Sequence, residues 1–455
     1  MLQEFVDRER EMEFLEKLYQ QKGFKSVALY GRRRVGKTEL IKKFLQNKES
    51  CYILCTNENI KENIDYMKDG FSRMLHRPYF NDLKAVGLYE LFKHLQNEVS
   101  DEKYVVAIDE FPFLLEIERG ILSKFQKVID EILQDTNLML ILCGSSLSMM
   151  ENDVLGYRSP LYGRRLNAWK MQPFSLKTML QMFGNINAAC ETYFVFGGVP
   201  YYLSFYNPNH SLAWNIKRNV LTKGINLYDE PLVLLRQEFR ESRTYRLIIR
   251  YLSQGYQSIG KLCSATGMDK SNISKYLWTL QETGMVEHVL PMGRQRGGIY
   301  EIADPFFDFW FRYVYPKRAE LELHNIDVVL QDFHKTNTVY NGHRFERMVR
   351  QLIRSRQIKG LEDYVQVQKW WHKDNELDVV AIGPNKKKVL FCECKWQKNI
   401  NAEAILAELK QKTELLKWDK DTMEYSYAVF ARTFRKRTEE CHCFDLNDLA
   451  KTLQS

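Results

Sequence analysis

The chain has 455 residues, 45% hydrophobic and 27% charged, with a formal net charge of +8. Such a length calls for two to four domains, the balance excludes a disordered or fibrous chain, and the mild basicity permits a nucleic-acid partner without requiring one. No run approaches the roughly 20 apolar residues of a membrane span, the opening "MLQEFVDRER" does not read as a secretory leader, and nine scattered cysteines suit reduced thiols, so the expectation is a cytoplasmic protein with no membrane partner.

Residues 26–31, "SVALYG", read as a buried strand that runs into "GRRRVGKT", Gly31 to Thr38, and then into the helical pattern "ELIKKFLQ". This is G-x-x-x-x-G-K-T between a strand and a helix, the context a phosphate-binding loop requires. Gly31, Arg32, Arg33, Arg34, Val35 and Gly36 wrap phosphates with inward N–H groups, and the helix N-terminus adds partial positive charge. Lys37 is expected to reach the β- and γ-phosphates of ATP, and the Thr38 hydroxyl to bind Mg²⁺. One or two of the three loop arginines are expected to face solvent. "KYVVAIDEF" supplies a second strand ending in carboxylates, with Asp109 on the magnesium side and Glu110 polarising the attacking water. A third strand, within 137–146, ends at Ser145 and Ser146, which either sense the γ-phosphate or form an ordinary strand-end loop.

These stretches, with "FVDREREMEFL" before the loop, "CGSS", "LYGRR" (161–165) and "FGGVPYYL" (196–203), resemble the archaeal-type ATPase family, of the STAND-like branch of AAA+-related NTPases. The resemblance covers about the first 230 residues. It implies that Phe5–Arg10 lies near the adenine, that Arg164 or Arg165 serves as an arginine finger or sensor, and that Pro200 sits in a helical lid. A solvated basic loop is the alternative for the two arginines.

From about Leu232 the texture changes to short helices. "TYRLIIRYLSQG", "SIGKLCSATG" and "DKSNISKYLWTLQETG" read as three helices, the last capped by Asp269 with Ile273, Leu277 and Leu280 on one face. Two alternating strands around "GRQRGG" complete a winged helix-turn-helix. Its third helix would offer Lys270, Ser271, Asn272 and Lys275 to a DNA groove, with Arg294 and Arg296 reaching phosphates from the wing. The same module also serves elsewhere as an interdomain connector. The aromatic run 304–316 reads as a packing element.

From about 326 the pattern is α/β again. A helix over 340–353 carries Glu346 beside its apolar stripe, Asp378 leads the strand "NELDVVAIG", and "KVLFCECKW" is its hairpin partner. Side chains alternate along a strand, so Glu393 and Lys395 share one face and Cys392 and Cys394 the other. A four-thiolate zinc with Cys441 and Cys443 is the competing reading, though C-x-C within a strand does not wrap a metal as C-x₂₋₄-C does. The order Glu346, Asp378, Glu393-x-Lys395 resembles the PD-(D/E)XK nuclease superfamily. That resemblance implies that Asp378, Glu393 and Glu346 hold Mg²⁺ or Mn²⁺ while Lys395 orients water and stabilises the reacting phosphate.

The expected architecture is α/β multidomain. It comprises a P-loop NTPase parallel sheet with helical lid (1–230), a winged helix-turn-helix (231–325) and a restriction-endonuclease-like α/β domain (326–455). The expected activity is ATP hydrolysis with Mg²⁺, joined to DNA binding and metal-dependent cleavage. The alternative is a nucleotide-switched regulator whose last domain only binds DNA or protein. A homo-oligomer is left open.

Overall fold

The computed structural model describes residues 6–84, 86–99, 102–164, 166–373, 375–414, 416 and 423–454. The chain is an α/β multidomain protein with two compact units. One runs up to Pro173 and includes Val199–Tyr201; the other holds Phe174–Gly198 and Tyr202 onward.

The first unit is built on a parallel sheet of β1 (Lys25–Tyr30), β2 (Ser50–Leu54), β3 (Tyr104–Asp109), β4 (Leu138–Gly144) and β5 (Leu166–Lys170), in the order β2-β3-β4-β1-β5. Its inner strands are continuous apolar runs because both faces are covered. Val27 and Leu29 of β1 enter one core cluster, and Ala28 and Tyr30 enter the other. The edge strands β2 and β5 are only half-buried, so their sequences lack the apolar run that marks β1, β3 and β4. All five strands are parallel, which brings the carboxyl ends of β1, β3 and β4 to one edge of the sheet. That edge is where parallel α/β sheets hold ligands.

In the second unit, helices Leu176–Phe183 and Ile186–Phe196 precede the three helices Ser242–Ser253, Ile259–Thr266 and Lys270–Glu282. The antiparallel pair β6 (Val286–Val289) and β7 (Ile299–Ile302) forms the wing. The Asp269 carboxylate accepts the Asn272 N–H at 2.9 Å, capping the third helix as its sequence predicts. Ile273, Leu277 and Leu280 are fully buried. So are Phe306, Phe307, Phe309, Trp310 and Phe311, which pack rather than face solvent.

The next helix runs from Ile326 to Arg354, 29 residues, and begins well before the expected 340. Its first half buries only Val329 and Phe333, too sparse a stripe to show as periodicity. It packs on a mixed sheet of β8 (Gln366–His372), β9 (Asn375–Ile382), β10 (Lys388–Lys395), β12 (Glu424–Ala431) and β14 (His442–Phe444), ordered β14-β12-β10-β9-β8. The short strands β11 (Ile400–Asn401) and β13 (Phe434–Lys436) pair separately, and the helix Ala402–Glu414 also packs against β10 and β12.

Guanidinium groups tie the long helix to the winged helix. Arg344 meets Asp308 at 3.0 Å, Arg347 meets Glu287 at 2.6 Å, and Arg350 meets Glu301 at 3.5 Å. The base of the wing also joins the sheet, where the Met292 N–H donates to the Lys369 carbonyl at 2.8 Å. Among the described residues, no helix is long and apolar enough to cross a membrane.

Candidate nucleotide site and C-terminal carboxylate site

The loop after β1 turns through backbone that L-residues rarely adopt, with φ of 72° at Arg34 and 91° at Gly36. A side chain at Gly31 would place its Cβ 2.6 Å from the Met171 carbonyl oxygen, so only glycine fits there. Arg8 braces the loop by donating to the carbonyls of Val35 at 3.0 Å and Gln172 at 2.9 Å. Phe5 and Arg165 lie outside the described residues. All three loop arginines are half-buried. Arg34 lies 4.1 Å over the Tyr201 ring, next to Pro200, and Arg33 approaches Glu110 at 3.6 Å.

Lys37 is buried, and its ammonium donates to the carbonyls of Gly31 at 2.9 Å and Arg32 at 3.0 Å. Burial lowers its pKa from the ordinary lysine value, because a charged amine is costly to desolvate. The Thr38 hydroxyl donates to Asp109 Oδ2 at 2.8 Å, and the Tyr52 hydroxyl donates to the same oxygen at 2.8 Å. Burial, and then the Asp109 charge, push the Tyr52 phenol well above its usual range. Tyr52 carries no motif and is missed by sequence reasoning; its position on β2 beside the end of β3 reveals it. Glu110 has a backbone φ of 52°, a left-handed conformation uncommon outside glycine, and its carboxylate accepts from the Ser145 hydroxyl at 2.7 Å. Oxygen donors from Thr38 and Asp109 fit a hard divalent cation. Arg164 is not brought to this group: its guanidinium is engaged by Asp130 at 3.2 Å and by the Tyr162 carbonyl.

In the second unit, strand parity holds. Lys395 Nζ meets Glu393 Oε1 at 2.7 Å, while Cys392 and Cys394 are buried, and burial raises both thiols far above their usual value. The β9–β10 pairing runs to Val379 opposite Cys392, the positions next to Asp378 and Glu393, and Asp378 accepts the Cys394 N–H at 2.8 Å. Its carboxyl is pushed up to about 8 by burial first, then by the charges of Glu346 and Glu393. Burial would likewise raise Glu346, but His343 and Lys369 outweigh it and hold that carboxyl down to about 2. Glu393 and Lys395 thus meet directly, and Asp378 lies within electrostatic reach of Glu346 and Glu393. The structure adds Lys412, which meets both Glu393 oxygens at 3.1 Å, and Lys369, which meets Glu346 at 3.4 Å. Neither lysine belongs to the sequence motif, and each reaches the site only through folding. The donor chemistry suits Mg²⁺, yet no three acidic, imidazole or thiol groups among the described residues converge closely enough to hold an ion.

Residues 5–204 match the model of an ATPase domain predominantly from Archaea. Residues 243–288 match that of the bacterial regulatory proteins of the arsR family, and 310–407 that of archaeal and bacterial proteins of unknown function. The whole chain is similar to an uncharacterized protein of Methanocaldococcus jannaschii, 31% identical over 473 residues, covering 98% of this chain and 100% of that one. An uncharacterized ATP-binding protein of the same organism is 58% identical over 45 residues, 10% of this chain and 76% of that one. Among solved structures, the Walker-type ATPase of Pyrococcus abyssi shares the fold with a TM-score of 0.52 at 22% identity, over 68% of this chain and 96% of that one.

Proposed function

The chain belongs to the archaeal ATPase family, and on that premise we propose that it couples ATP hydrolysis in its first unit to DNA binding and phosphodiester cleavage in its second. The observation that carries the ATPase reading is the convergence of Thr38 on Asp109 at 2.8 Å with Ser145 on Glu110 at 2.7 Å. Lys37 and the loop N–H groups bind the β- and γ-phosphates, where phosphate oxygens replace the carbonyls that the ammonium now touches. Thr38 and Asp109 would hold Mg²⁺, which would supply charge neutralisation at the phosphates. Glu110 orients the attacking water as general base. Arg164 acts as a finger or sensor only after leaving Asp130, and its loop neighbour Arg165 is the alternative.

For DNA, the arsR-type match and the exposed side chains of Lys270, Ser271, Asn272, Lys275, Arg294 and Arg296 support contact through the third helix and wing. For cleavage, Asp378 and Glu393 would hold Mg²⁺, with Glu346 joining them only once its carboxylate is drawn closer, and Lys395 would orient the water and stabilise the phosphate. The raised Asp378 carboxyl supports this, because buried carboxylates short of positive charge are what a divalent cation relieves.

A specific observation favours the second reading, a nucleotide-switched regulator: Lys369, Lys395 and Lys412 already neutralise Glu346 and Glu393. Nicking of supercoiled, branched and single-stranded DNA by the full chain, with Mg²⁺ or Mn²⁺ and with or without ATP, separates the two. Cleavage lost in Asp378→Ala while ATP hydrolysis persists is the expected result. No cleavage of any DNA form by the wild-type protein leaves the regulator.

A further inference from the structure

Two neighbouring cavities in the second unit, of about 480 and 260 Å³, share Leu232 and Arg246 in their walls. They open beside the helices Glu230–Glu238 and Ser242–Ser253 and the segment 315–318. Arg236, Arg243, Arg246, Arg250 and Arg318 line them together with Tyr315, and no acidic residue is among the described lining residues. The placement follows from helical spacing. Arg243, Arg246 and Arg250 recur at i, i+3 and i+7, while Ile248, Ile249 and Leu252 of the same helix go to the core. Seven residues at 1.5 Å rise spread the three guanidinium groups over about 10 Å.

The charge of this row is poorly matched from within. Arg318 pairs with Asp229, Arg236 donates to the Leu232 carbonyl at 3.2 Å, and Arg250 lies near the Tyr315 ring. Arg243 and Arg246 have no ion pair or hydrogen bond among the described residues, although Arg246 is half-buried. A partly desolvated guanidinium without a partner is costly, and a concave wall of like charges focuses positive potential into the space it encloses. Guanidinium forks match phosphate oxygens two at a time.

We infer that this groove holds the sugar-phosphate backbone of a nucleic-acid strand, with the Tyr315 ring offered to a sugar or base. The row is too long and the space too large for a single phosphate group. It also lies on the first helix of the winged helix, so it extends the DNA contact of that module to a second face. The inference rests on the DNA reading above, and the test separates them.

Full-length protein is titrated with labelled duplex and single-stranded oligonucleotides across salt concentrations. Three forms are compared: wild type, a groove variant (Arg243→Gln, Arg246→Gln, Arg250→Gln) and a third-helix and wing variant (Lys270→Gln, Lys275→Gln, Arg294→Gln, Arg296→Gln). The groove variant should bind about tenfold or more weakly and lose about 0.9 of salt slope per phosphate contact removed. Should the triple variant fold poorly, Arg246→Gln alone is expected to lose about 0.9. Unchanged affinity and slope in the groove variant, with binding lost in the other, overturns the groove and keeps the third-helix contact. The reverse pattern supports the groove and removes that contact. No oligonucleotide binding by wild type sinks both. Binding of inorganic tripolyphosphate without oligonucleotide, abolished in the groove variant, makes this a small-anion site and overturns the nucleic-acid assignment.

Discussion

The buried Asp109 carboxylate is held by two hydroxyl groups, Thr38 and Tyr52, each at 2.8 Å. The buried Glu393 carboxylate is held by two ammonium groups, Lys395 at 2.7 Å and Lys412 at 3.1 Å. Hydroxyls fix an acid in place and leave its negative charge for an incoming cation. Ammonium groups cancel that charge, so a cation at Glu393 must compete with them. The same carboxylate group thus differs in readiness for a metal through its neighbours. A further contrast lies in assembly: Gly31 to Thr38 is one continuous stretch, whereas the C-terminal group draws on two helices and three strands.

Six substitutions break or sharpen this comparison. The largest effect is expected at the first site, where Glu110→Gln should slow ATP turnover by about 10²- to 10⁴-fold, the scale of a lost general base. Lys37→Ala should abolish tight nucleotide binding. Steady-state kinetics and nucleotide titration read both, and DNA nicking measured without ATP should stay at the wild-type level. A matching loss of nicking would mean that the two sites are not separate.

Next comes a carboxylate, Glu301, paired with the guanidinium groups of Arg347 and Arg350. Burial alone would raise Glu301, but Arg347 and Arg350 outweigh it and keep the carboxyl below its ordinary value. A folded-state pKa below the unfolded one adds stability that is present above the ordinary carboxylate pKa and lost as pH falls through the folded one. Glu301→Gln should cost about 3–5 kcal/mol, since it leaves Arg350 buried without its partner. Denaturant unfolding across pH should also show a flatter acid limb in the variant than in wild type.

Within the C-terminal site the two ammonium groups should separate. Lys395→Met should lower cleavage by about 10²-fold or more, the scale of a lost transition-state donor. Lys412→Met should instead tighten Mg²⁺ binding severalfold by freeing Glu393, a change in the direction Coulomb attraction sets. Calorimetric Mg²⁺ titration reads the sign; weaker binding in Lys412→Met would show that this lysine organises the site rather than competing for it. The smallest effect is Tyr52→Phe, expected to cost about 2 kcal/mol of stability as one hydrogen bond to a buried charged group is lost. Thermal unfolding of the variant checks it, and an unchanged midpoint would leave Thr38 as sufficient support for Asp109.

Much of the first unit was legible because its signals are local. The glycines at 31 and 36, the lysine between loop and helix, and the apolar run ending at Asp109 each announce a backbone shape or a buried strand within a few residues. The edge strands β2 and β5 escaped because half-buried edges carry no such run. The apolar pattern alone starts the long helix near 340, because its earlier turns bury too little to set a rhythm.

The sequence by itself determined the phosphate-binding loop, the strand–carboxylate pairing beside it, the capped third helix with its buried face, and the parity that sets Glu393 and Lys395 opposite Cys392 and Cys394. These follow from backbone geometry, which repeats every two residues in a strand and every 3.6 in a helix. Only the tertiary structure decided that Tyr52 reaches Asp109, that Arg164 is held by Asp130, that Lys369 and Lys412 enter the carboxylate site, and that Arg246 lines a groove whose described lining residues include no acid. Those facts depend on which distant side chains the sheets and helices bring within a few ångströms. No periodicity along the chain encodes such distances, because Coulomb attraction and burial act through space rather than along the sequence.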